Sequence, residues 1–176
     1  MSFLIALPNI DKSIFKIVSG GQTGVDRAAL DVAIQLGIVH GGWCPKGRKA
    51  EDGSIPEKYQ MIEADSDDYS VRTQLNIKDS DGTLILIPYD PDKATGGTLQ
   101  TINVAKEVNK PCFIMDLSTE LCRGMFFDVI EWLEKKKIKK LNIAGPRESQ
   151  APGIHQRASE YLTNLYGRIL GDEMTL

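Results

Sequence analysis

Apolar positions along the chain switch repeatedly between strand-like runs and helical spacing. Ile14-Phe15-Lys16-Ile17-Val18 is a β-branched apolar run closed by glycine, which predicts a buried strand over 14–18. Val25, Ala28, Ala29, Val32, Ala33 and Leu36 then recur at helical spacing until Gly37, predicting a helix over 25–36. A second strand is expected over 38–43. It opens into a long polar connection, 44–68, of the kind that in a compact domain is usually either functional or disordered. A helix follows over 69–79. The strongest apolar run, Thr83-Leu84-Ile85-Leu86-Ile87, predicts a third strand, introduced by the turn Asp79-Ser80-Asp81-Gly82. Beyond it the pattern predicts a helix over 99–108, a strand over 111–116, a helix over 121–137 and a strand over 141–144. A last helix starts near Pro152 and turns Ile154, Ala158, Tyr161, Leu162 and Leu165 inward.

Strands therefore alternate with helices five times. That alternation predicts a three-layer α/β architecture, a doubly wound sheet of about five mostly parallel strands with helices on both faces. Residues 13–170 are read as a single domain, 1–12 as an extended lead-in and 171–176 as a flexible tail. In such sheets ligands bind beyond the carboxyl ends of the strands, where the winding reverses. The loops at that edge carry Ser19–Arg27, Cys44–Gly53, Thr95–Thr98 and Gly145–Ser149, all of the glycine-rich or charge-dense stretches. Those at the other edge are ordinary. The first and third strands are expected to be neighbours, so that their glycine turns share one anion.

Composition narrows the function classes. The 176 residues suit one domain with a substantial core, and 41% apolar with 26% charged residues is the balance of a globular protein. The net charge of −3 argues against a nucleic-acid footprint. The lysine cluster at 135–140 reads as a solvated helix end. No apolar run is long enough for a membrane span, and the start of the chain makes a poor signal peptide, so a cytoplasmic location is expected. Three cysteines without CxxC spacing fit a reducing compartment, and two histidines cannot build a usual zinc site, so no metal site is expected.

Candidate chemistry concentrates in the glycine turns. Gly20, Gly21 and Gly24 allow a tight turn and close ligand approach, and Gln22 lies among them. Thr23 is the expected N-cap of the first helix, with Asp26 three residues on, leaving amides and the dipole free for an anion. Asp26 suits a sugar hydroxyl, and Arg27 a phosphate or carboxylate. In the 44–68 connection, Lys46, Gly47 and Arg48 are expected to form a flap that closes on an anionic ligand. Arg72, Asn76 and Asp79 fall at i, i+4 and i+7 on one helix face. Thr95, Gly96, Gly97 and Thr98 form a second glycine turn, with Thr98 as the expected cap of the following helix. Arg147 belongs to the fourth loop. Asp26, Glu51, Asp52, Asp79 and Glu148 are the candidate acids and bases for hydrolysis, which ordinarily recruits two converging carboxylates.

These segments also carry a resemblance. Ser-Gly-Gly-Gln-Thr-Gly-Val-Asp-Arg, Gly-Gly-Trp-Cys-Pro-Lys-Gly-Arg-Lys-Ala-Glu-Asp-Gly, Arg-Thr-x-x-Asn-x-x-Asp-Ser-Asp-Gly-Thr-Leu, Gly-Gly-Thr and Ala-Gly-Pro-Arg-Glu-Ser occur in that order between about Ser19 and Tyr161. The chain thereby resembles the family labelled putative molybdenum carrier proteins. That family is a circularly permuted YpsA-like branch of the Rossmann-like superfamily that includes the LOG phosphoribohydrolases and DprA. The resemblance implies a Rossmann-like fold, a phosphorylated nucleotide-like or molybdopterin ligand, and dimerisation of the LOG type. It assigns Gly20, Gly21, Thr23, Gly24, Gly96, Gly97 and Thr98 to phosphate, and Asp26, Arg27 and Arg72 to the rest of the ligand. Gly96-Gly97-Thr98 stands without the Pro-Gly-Gly-x-Gly-Thr-x-x-Glu context of the LOG enzymes, which argues against their chemistry. Carrier and nucleotide hydrolase both remain open, and DprA-like binding of single-stranded DNA is the weakest reading.

Overall fold

The structure, a computed structural model, describes residues 15–171. The expected lead-in at 1–12 and the tail from 172 onward lie outside the described residues. In chain order the strands are β1 (Lys16–Val18), β2 (Val39–Cys44), β3 (Lys49–Ala50), β4 (Gly53–Ser54), β5 (Met61–Glu63), β6 (Gly82–Ile87), β7 (Cys112–Asp116) and β8 (Lys140–Ala144). The helices are α1 (Val25–Gln35), α2 (Tyr69–Lys78), α3 (Gly96–Glu107), α4 (Arg123–Lys135) and α5 (Ile154–Leu170).

Six strands form one parallel sheet in the order β5-β2-β1-β8-β6-β7. This is an α/β, Rossmann-like architecture. The expected pairing of β1 with β6 is not made, because β8 lies between them and bonds both. Residues Leu141–Ala144 of β8 are buried. Asn142 donates to Thr83 on β6 at 3.2 Å, and Ser19, just past β1, donates to the Ile143 carbonyl at 2.7 Å. Counted cyclically from β8 through the chain ends, the order reads 4-3-2-1-5-6. That is a doubly wound sheet whose switch point lies between β8 and β6.

The sheet has six strands rather than five. β5 pairs with β2 from within the polar connection, Trp43 opposite Ile62. A three-residue edge strand with its side chains largely exposed leaves no apolar run. The short hairpin β3–β4 folds the same segment further.

Strand β6 shows why a central strand carries an unbroken apolar run. Leu84 and Leu86 pack beneath α1, α4 and α5, among Val25, Ala29, Phe126, Val129, Tyr161 and Leu165. Ile85 and Ile87 meet Ala94 and Ile102 on the other face, where α2 and α3 also pack through Ile77, Val104 and Ala105. With period-two alternation and both faces covered, positions 84–87 are all apolar. No helix among the described residues is long and apolar enough to cross a membrane.

Candidate functional site

A cavity of about 170 Å³ opens beyond the ends of β6 and β8. Its wall includes Gln22 and Asp26, Arg72 and Thr73 of α2, Gly97, Thr98 and Thr101 of α3, and Gly145, Arg147 and Gln150 after β8. Gly145 and Gln150 thus bridge the two glycine turns across the intervening strand.

The turn after β1 is spent mostly on internal contacts. Gly24, not Thr23, is the N-cap of α1, with φ +75. A Cβ on Gly24 would stand 2.4 Å from the Pro146 carbonyl oxygen, to which the Val25 amide donates at 3.3 Å. The Arg27 amide donates to the Gln22 carbonyl at 3.1 Å. Asp26 reaches back to accept from the Gln22 amide at 3.3 Å and from Arg72 Nη1 at 2.9 Å. The expected open anion site at this helix end is therefore filled by the chain's own acceptors. Loss of hydration on burial pushes the Asp26 carboxyl above the ordinary aspartate range, opposed by the Arg72 charge and by hydrogen bonds from Gln22 and Arg72. Gly20 makes room for the ion pair, since a Cβ there would lie 1.6 Å from the Arg72 guanidinium.

The second glycine turn is arranged differently. Helix α3 begins at Gly96 rather than at 99, and Thr95 occupies the N-cap without a side-chain bond. Gly96, Gly97 and Thr98 are thus the first helical turn. Their amides find no acceptor among the described residues. No atom lies within 4 Å of where a Cβ on Gly97 would stand. The partial positive charge of the helix end faces the cavity, beside the guanidinium of Arg72 and the half-exposed Arg147.

The other candidates build the frame. Arg27 donates to the Gly21 carbonyl at 3.2 Å and forks onto both oxygens of Asp52. Arg48 donates to the carbonyls of Ile55, Pro56 and Tyr59 at 2.9–3.0 Å, folding the 45–59 loop around itself. Lys46 is exposed, and the Gly47 amide donates to Glu63 at 2.6 Å. Asn76 is matched to the Trp43 amide at 2.8 Å and carbonyl at 2.9 Å. Asp79 pairs with Lys140 at 2.7 Å, at the opposite edge of the sheet. Glu148 accepts from the Gly153 and His155 amides and closes the start of α5. Glu51 accepts from the Thr23 and Ser149 hydroxyls and from the Ser149 amide at 3.2 Å, with Arg147 Nε 3.8 Å away. Thr95 and Gly96 are exposed beside the cavity.

Of the expected site residues, Gln22, Asp26, Arg72, Gly97, Thr98 and Arg147 meet around one space. Tyr69, Thr73, Gln100, Thr101 and Gln150 line it as well and escape a reading by motif. Helical spacing was the available signal: Tyr69, Arg72 and Thr73 share a face of α2, as Gly97, Gln100 and Thr101 do of α3. Among the described residues, no three His, Cys, Asp or Glu side chains are grouped to hold a metal ion.

The model of the circularly permutated YpsA SLOG family matches residues 17–166. The chain belongs to this family. A crystal structure of a putative molybdenum carrier protein from Syntrophus aciditrophicus SB is 44% identical, with a TM-score of 0.82 over 88% of this chain and 96% of that one. No curated protein matches the chain. The cyclic strand order explains the family's description in physical terms. β8 and α5 are the opening strand and helix of a doubly wound sheet, moved to the end of the chain. In this YpsA-type chain, the glycine loop after β8 is closed by Glu148, whereas the first amides of α3 meet no acceptor among the described residues.

Proposed function

We propose that this protein binds a phosphorylated, nucleotide-like small molecule, with the phosphate on the first turn of α3. The observation carrying this reading is the first turn of α3, whose Gly96, Gly97 and Thr98 amides meet no acceptor among the described residues and whose Gly97 and Thr98 share the cavity wall with Arg72 and Arg147. A volume of about 170 Å³ is below the roughly 300–1,000 Å³ of sites that enclose a whole ligand. The cavity suits a phosphate and its adjoining sugar, with the rest of the ligand outside. Asp26, already turned inward, is the acceptor for a sugar hydroxyl.

Binding is favoured over hydrolysis because, among the described residues, Asp26 is the one carboxylate lining the cavity, and it is engaged by Arg72. The name of the Syntrophus protein suggests molybdenum as cargo. A pterin cofactor anchored by its phosphate would use the same amides and arginines, its metal held by the cofactor itself. Location in the cytoplasm belongs to this reading.

The test is a thermal-shift panel with inorganic phosphate, ribose 5-phosphate, nucleoside monophosphates and molybdate, on the wild type and Gly97→Val. A ligand at about 100 times its dissociation constant adds roughly 2.7 kcal/mol, a shift of several degrees. Phosphate esters should shift the wild type, and Gly97→Val should fold normally but lose at least tenfold in affinity. A shift with molybdate alone, or equal shifts in the variant, would overturn the reading. Overnight product analysis with the bound ester then separates carrier from hydrolase.

A further inference from the structure

On the far side of the loop that follows β8 lies a second, larger cavity of about 620 Å³. It falls within the roughly 300–1,000 Å³ typical of small-molecule sites. The two cavities share the 145–154 segment as their dividing wall. Gly145, Arg147 and Gln150 face the smaller one, and Ala151, Pro152, Gly153 and Ile154 the larger. Both therefore open at the switch-point edge of the sheet.

Their chemistry differs sharply. The larger cavity has apolar surface from Pro88, Leu121, Pro152 and Ile154. Its charged groups are Glu120, Glu160 and Arg157. Arg157 already donates to the Thr119 carbonyl at 3.2 Å, while neither glutamate is paired among the described residues. The helix end that adjoins this cavity, the start of α5, is neutralised by Glu148. A second anion is thus disfavoured here by charge, in contrast to the start of α3. A carboxylate accepts hydrogen bonds and donates none. The surroundings suit a flat, uncharged ring whose faces meet apolar walls and whose edge donates N–H groups.

We propose that this cavity holds the ring of the ligand, an amino-bearing heteroaromatic base, with Glu120 and Glu160 accepting from its exocyclic amino group. The inference rests on the reading that the phosphate end of the same ligand sits at α3. The loop 145–154 then runs between the two ends of one molecule, and the small volume of the phosphate cavity is accounted for.

Free nucleosides read the ring cavity and inorganic phosphate reads the other, so the two proposals can fail separately. Guanosine and adenosine should bind the wild type at least tenfold tighter than inosine, which lacks the amino group. Leu121→Trp, which fills the cavity, should lower nucleoside affinity at least tenfold and leave phosphate affinity within twofold. Glu120→Gln combined with Glu160→Gln changes only exposed side chains, so it keeps the test available if the tryptophan variant fails to fold. That double variant should bring the guanosine-to-inosine ratio close to one. No measurable nucleoside binding, an unchanged ratio, or full nucleoside affinity in folded Leu121→Trp would overturn the ring assignment while phosphate binding stood. Nucleoside binding with these dependences, but no phosphate binding, would instead overturn the α3 reading.

Discussion

Arg72 carries two duties that pull on one guanidinium. It neutralises Asp26, whose side chain is only 4% exposed, and it lines the candidate phosphate cavity. Removing it strands a buried carboxylate, a loss of about 3–5 kcal/mol in comparable pairs. Arg72→Gln is therefore expected to lower stability by that order in urea unfolding at pH 7, and Arg72→Gln with Asp26→Asn should recover a large part. Asn76 acts without any ligand. Its amide matches both backbone groups of Trp43 across a distance no secondary structure bridges. Asn76→Ala leaves those groups unsatisfied, at about 1–3 kcal/mol each if water cannot replace the amide. Urea unfolding should show a clear loss, with phosphate affinity unchanged. Gly97 has the opposite profile, since open space before it lets a side chain in at no cost to the fold and at the expense of the site.

At the scale of an element, the 45–63 segment is a folded flap rather than an open loop. Contacts at three carboxylates hold it down. Asp52 receives Arg27, Glu51 receives Thr23 and Ser149, and Asp31 of α1 receives Lys58 and Tyr59 together with His155 of α5. Against the cost of its partial burial, hydrogen bonds from Ser149 and Thr23 and the nearby Arg147 hold the Glu51 carboxyl below the ordinary glutamate range. Asp31 is lowered likewise, its burial outweighed by Lys58, Tyr59 and His155. A carboxylate lowered on folding stabilises the fold above its unfolded value, about 4.3 for Glu and 3.9 for Asp. That contribution is lost as the pH falls through the lowered value in the folded protein. Amide protection across 49–63, measured against the intrinsic exchange rate at each pH, is accordingly expected to fall selectively in acid. Glu51→Gln should loosen the flap already at neutral pH and flatten its dependence on pH.

For the molecule as a whole, the permutation is the governing feature. Helix α5, the last among the described residues, packs along α1, the first, and buries Ile154, Ala158, Tyr161, Leu162 and Leu165. Phe15 and Leu170 line one small apolar cavity, so the ends of the described chain lie close together. A chain opened between α4 and β8, with 15 and 171 joined by a short flexible linker, would restore sequential winding from β8. It should give the same circular dichroism spectrum and the same phosphate affinity as the natural order. Loss of the fold would show that the sheet depends on the order in which its strands are made. Deleting α5 should abolish soluble folded protein, because each fully buried large apolar side chain it supplies is worth about 1.5–3 kcal/mol.

Local pattern was enough for much of this. The five strong strands, the five helices and the glycine turns at one edge all follow from periodicity and turn chemistry, since both report on neighbours a few residues away. So does the grouping of Asp26, Arg72, Gly97 and Arg147 at the carboxyl edge, because every βα loop of a parallel sheet emerges there. Tertiary structure decided the remainder. β5 is a strand because β2 offers it an edge, and β8 lies between β1 and β6 through pairing with strands far away in sequence. Glycine turns that look equivalent in sequence differ because the Pro146 carbonyl and Asp26 occupy the start of α1, and Glu148 that of α5. The amides of α3 meet no such partner among the described residues. Which helix end stays open depends on acceptors brought from distant parts of the chain, and no periodicity records them.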